Sequence, residues 1–132
     1  HGLACIGDER VPEPQPLPDF PVVCLELASA AVLNGTDLQI SFRINGDTIS
    51  NRLRIIGKIQ LTAPGHSAHR GKFRNYVGVL SDESFVSFVI HDFRSVCSLD
   101  LKEYQVHMKY FLIDANSGHR SKENPLSTSI EI

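Results

Sequence analysis

Tryptophan is absent from the 132-residue chain, methionine occurs once, at Met108, and neither charge sign dominates, with Lys and Arg numbering 13 against 15 Asp and Glu. The net charge of −2 leaves no global attraction to polyanions. Without Trp and without a broad basic surface, nucleic acid is not the expected partner. No apolar run approaches the roughly 18 to 20 residues that span a bilayer. The longest strongly apolar piece, residues 85 to 90, is interrupted by Ser87. The chain is therefore expected to be soluble, without membrane insertion. Catalytic signatures are also missing: there is no G-x-S-x-G, H-E-x-x-H, C-x-x-C or phosphate-binding Gly-Lys-[Ser/Thr] loop. Carboxylates are scattered over turns and polar strand positions, so an acid and base pair is not indicated; Asp92 beside His91 is the one juxtaposition of interest. Helical periodicity is lacking too, and only residues 98 to 104 suit a turn of helix.

Cysteine is scarce and odd in number: Cys5, Cys24 and Cys97. In an oxidising compartment this predicts one bridge and one remaining thiol. Cys24 and Cys97 each lie in strand-like runs, so a Cys24–Cys97 bridge would staple two strands and leave Cys5 for an intermolecular link. A Cys5–Cys97 bridge and three reduced thiols are the alternatives. The chain opens at His1-Gly2 without an initiator methionine, and its one N-x-[ST] sequon is Asn34-Gly35-Thr36, between two apolar runs. Both features point to a secreted, extracellular protein with a glycan at Asn34.

Proline is concentrated in one place, with Pro12, Pro14, Pro16, Pro18 and Pro21 making up five of the seven. Fixed φ and missing N–H groups exclude a helix or a central strand there, so residues 1–20 are read as an extended proline-rich arm and 21–132 as one domain. Within that domain the apolar period is two. Leu38, Ile40, Phe42 and Ile44 alternate with Asp37, Gln39, Ser41 and Arg43. Leu53, Ile55, Gly57, Ile59 and Leu61 continue the pattern, as do Tyr104, Val106, Met108, Tyr110 and Leu112. Further strands are expected over residues 76 to 80, 85 to 91 and 126 to 132. Asn45-Gly46 suits a type I′ hairpin that would set Phe42 opposite Ile49 and Leu38 opposite Leu53; Asn34-Gly35 offers a similar turn. About seven or eight strands punctuated by Gly, Asn, Asp and Pro predict an all-β, antiparallel two-sheet β-sandwich.

Six histidines are present: His1, His66, His69, His91, His107 and His119. An N-terminal histidine offers its α-amine and its ring, and imidazole suits copper. In this respect His1-Gly2 on a secreted β-sandwich resembles the histidine-brace copper proteins, such as lytic polysaccharide monooxygenases. The resemblance covers those two residues. It implies copper held by His1 and one of His66, His69, His91 or His107, with Tyr104 or Tyr110 as axial neighbours.

The strongest local charge feature is residues 66 to 74, where Arg70, Lys72 and Arg74 lie beside His66 and His69 with no acid among them. Guanidinium groups grip oxyanions bidentately, and Gly65 and Gly71 would allow close backbone approach. These residues predict a loop that binds an anionic ligand such as a sulfated or sialylated glycan. Tyr76, Phe73, Tyr104 and Tyr110 are candidate aromatic platforms for sugars. The expected function is lectin-like glycan recognition by an oligomeric β-sandwich, by binding rather than catalysis and without a cofactor. The alternatives are an oligomeric extracellular structural or storage glycoprotein and the copper protein built on His1.

Overall fold

The computed structural model describes residues 4–6, 20–82, 84–96 and 101–132, with 4–6, 66–70 and 96 as backbone only. Along the chain lie β1 (Ala4–Ile6), β2 (Val23–Leu33), β3 (Asp37–Gly46), β4 (Leu53–Ala63), β5 (His66–Arg70), β6 (Arg74–Val77), β7 (Val79–Ser81) and β8 (Phe85–Ile90). They are followed by α1 (Phe93–Val96), β9 (Glu103–Asp114) and β10 (Asn124–Glu131). The first sheet has the order β1-β2-β3-β8-β7 and the second β10-β9-β4-β5, with β6 also paired to β4. All pairings are antiparallel. This is the expected all-β two-sheet sandwich. With β1, β5 and β6 set aside, the remaining strands follow the ABED and CFG order described for immunoglobulin-like sandwiches, an architecture that by itself carries no function.

The period of two builds the core. From β3 come Leu38, Ile40 and Phe42, from β4 Leu53, Ile55, Ile59 and Leu61, from β8 Val86, Phe88 and Ile90, and from β9 Tyr104, Val106, Met108, Tyr110 and Leu112, all buried. Each such side chain contributes about 1.5–3 kcal/mol by leaving water, an upper range because unfolded chains are partly compact. Phe42 and Phe88 meet edge to face at 5.9 Å across the β3–β8 pair. Phe93 brings α1 onto Tyr104 in the same geometry.

Two turn expectations divide. Asn34 and Gly35 take φ of 53° and 74°, with the Thr36 N–H donating to the Leu33 carbonyl at 3.2 Å, so β2 and β3 form the hairpin that an Asn-Gly pair favours. Asn45-Gly46 makes no hairpin. Phe42 pairs with Leu27 and Val86, not Ile49, and Leu38 with Val32 and Ile90, not Leu53. Both edges of β3 are occupied by β2 and β8, and the Asp47 N–H donates to the Val22 carbonyl while its carboxylate accepts from the Val22 N–H. These bonds tie the chain back to β2, after which it crosses to the other sheet.

Of the expected arm, residues 4–6 join the first sheet as β1, and 7–19 lie outside the described residues. Cys24 is disulfide-bonded, and Cys5 is its Cα partner in the β1–β2 ladder. Cys97 lies outside the described residues. The register that sets Cys5 directly opposite Cys24 favours that pair as the bridge.

Candidate functional site

Of the residues singled out for ligand binding, His66, His69 and Arg70 lie on β5, a strand rather than a loop, reached through a turn at Pro64-Gly65 with Gly65 at φ 73°. Arg70 is opposite Thr62 and His66 opposite Ala63; their side chains are outside the described residues. Gly71 is buried, its N–H donating to the Leu61 carbonyl and its carbonyl accepting from Gln60 Nε2, each at 2.9 Å. That backbone is committed to β4 and is not open to an anion. Lys72 and Arg74 are exposed, and Arg74 begins β6 opposite Ile59, two residues before Tyr76 on the same face.

Phe73, between them, stands beside the outer face of the second sheet. Its ring is 45% exposed, and the Lys109 Nζ lies 5.5 Å from its centroid. Lys109 is on the polar parity of β9, directly across from Lys58 of β4. The neighbouring position, Phe111, breaks the parity: it is buried on the outer face beneath the Arg120 guanidinium at 4.1 Å and the Lys58 ammonium at 5.9 Å. Glu123 answers these cations, 2.6 Å from Lys58. Its hydrogen bond to Lys58 holds its carboxyl below the usual value, and the fields of Lys58, Lys109 and Arg120 act in the same direction against partial desolvation.

Farther along β9 the face becomes polar. His107 lies 3.3 Å from Thr62 Oγ1 through Nε2 and 3.1 Å from Ser127 Oγ through Nδ1, in an open groove with Gln105 and Ser129. Both ring nitrogens meet hydroxyls, so this contact lacks the carboxylate that orients a catalytic base. Glu103 and Glu131 are paired at the far end. The face thus runs from cationic and aromatic, through hydroxyl and amide groups, to acidic.

The other histidines serve elsewhere. His91, highly exposed, contacts Asp37 at 3.0 Å rather than its neighbour Asp92. The Asp92 N–H and then His91 draw the Asp37 carboxyl below its usual value. Tyr104 and Tyr110 are fully buried, which removes them as sugar platforms; Phe73 keeps an accessible ring. His1 lies outside the described residues, and His91 and His107 stand on different sheets. Among the described residues no three His, Cys, Asp or Glu side chains could hold a metal ion. Lys58, Lys109, Phe111, Arg120 and Glu123 were not singled out from sequence, although Phe111 on the wet parity of β9 was a visible signal. No family model, curated protein or solved structure matches the chain.

Proposed function

We propose that this chain is a non-catalytic, lectin-like recognition domain that binds an anionic glycan on the outer face of the second sheet. The observation that carries the reading is the exposed Phe73 ring with the Lys109 ammonium against it, next to the His107, Ser127 and Gln105 groove. A sugar needs an apolar ring, hydroxyl and amide partners and, if sulfated or sialylated, a cation; these groups are adjacent here. Lys72 is exposed and the β5 backbone, residues 66 to 70, pairs with β4 in the same sheet. Secretion is supported by the disulfide at Cys24 and by Asn34-Gly35-Thr36, exposed at the β2–β3 tip where a glycan has room.

Surface plasmon resonance on immobilised sulfated and sialylated glycans tests this, using protein from secretory cells. Lys109→Ala and Phe73→Ala should each weaken binding by about tenfold or more, and wild-type binding should fall with added salt. The same protein should carry a glycan mass that Asn34→Gln removes. Binding that survives both face substitutions together would rule out this site.

A further inference from the structure

Residues 74 to 82 read Arg-Asn-Tyr-Val-Gly-Val-Leu-Ser-Asp and form the free edge of both sheets in turn. Among the described residues β6 is paired with β4 alone and β7 with β8 alone, and β6 also packs near β8, so the two open edges share one side of the sandwich. The switch between sheets occurs at Gly78. Its N–H donates to the Ile55 carbonyl at 2.8 Å, and a Cβ there would collide with the Val86 side chain. On this edge Val77, Val79 and Leu80 are 60%, 63% and 40% exposed. Open edges are usually guarded by central Lys, Pro or a bulge; here the only charges within residues 74 to 82 are at the two ends.

We propose that this edge is the interface of a two-fold symmetric dimer with a second copy of the chain. The argument is self-complementarity. With the axis at Gly78 and the strands antiparallel, Val77 faces Val79, Tyr76 faces Leu80, Asn75 faces Ser81 and Arg74 faces Asp82. An isologous contact repeats every pair, so two Arg–Asp pairs close its ends. A slip of one residue sets Arg74 against Ser81 and Phe73 against Asp82, and turns each side chain to the wrong face. Among the described residues neither Arg74 nor Asp82 has an ion-pair partner. In the dimer β7 of one copy hydrogen-bonds to β6 of the other, fusing the first sheet of each with the second sheet of its partner. The face that carries Lys109 and His107 is not part of this edge, and Phe73 only precedes it, so the interface and the glycan reading are tested by different variants.

Sedimentation equilibrium of the whole chain, with and without reductant, reads the outcome over micromolar to millimolar concentration. The wild type should sediment at twice 14.6 kDa in both conditions. Arg74→Asp and Asp82→Arg should each weaken association at least about tenfold, and the combined Arg74→Asp/Asp82→Arg chain should regain it, because the exchange restores opposite charges. A wild type that stays monomeric, a dimer that neither reversal weakens, or a combined variant that stays monomeric overturns the proposal.

Discussion

Two buried phenols accept hydrogen bonds from backbone N–H groups. Tyr104 Oη accepts from the Leu101 N–H at 3.0 Å and from the Arg94 guanidinium at 3.2 Å, the tyrosine-corner arrangement at the start of β9. Tyr110 Oη accepts from the Leu25 N–H at 3.3 Å, and burial pushes its phenol up to about 12. Replacing Tyr104 by Phe keeps the packing on Phe93 but deprives the Leu101 N–H of this acceptor. We expect a loss of about 1–3 kcal/mol, read as a lower urea midpoint at unchanged slope. An unchanged midpoint would mean that water takes over the bond. The parity of β9 already put both tyrosines with Val106 and Met108, so their core role was legible. The Phe111 exception was visible only as a residue on the wrong side, because its cover comes from Arg120 and Lys58, distant in sequence.

At the scale of elements, alternation identified β3, β4, β9 and β10 because a half-buried strand writes its period directly into the sequence. Partners were harder. The same Asn-Gly signal precedes a hairpin at Asn34 and a crossover between sheets at Asn45, and the difference lies in which edges of β3 are already occupied. Local patterns do not carry that information. β5 was missed because its ladder is irregular, with Thr62 opposite Arg70 but the next residue, Ala63, opposite His66. Hence a basic stretch that reads as a loop is a strand over residues 66 to 70, and the proposed glycan site rests on Phe73 and Lys109 instead. The β1–β2 ladder likewise sets Cys5 opposite Cys24, a juxtaposition that spacing did not suggest. Peptide mapping of unreduced protein should recover Cys5 joined to Cys24; a Cys24–Cys97 peptide would contradict the register.

At the scale of the whole molecule, three carboxylates among the described residues sit below their usual pKa values for distinct reasons. The Asn116 N–H and then Arg52 hold Asp114, the Asp92 N–H and His91 hold Asp37, and Lys58 holds Glu123. A depressed folded value means that each contributes its stability fully above the ordinary values of 3.8 for Asp and 4.5 for Glu, and loses it as pH falls toward the folded values. The thermal midpoint should therefore decline below the ordinary carboxylate range, and Asp114→Asn should both lower it at neutral pH and flatten that decline. A midpoint constant through the range in calorimetry would refute the linkage. A Cys5–Cys24 bridge would also have a mechanical side. If the chain were drawn out from its two ends, tension entering at Cys5 would pass through sulfur to Cys24, and the intervening segment, proline run included, would bear no load. A reductant should release it, lengthening the fully stretched chain by roughly 65 Å.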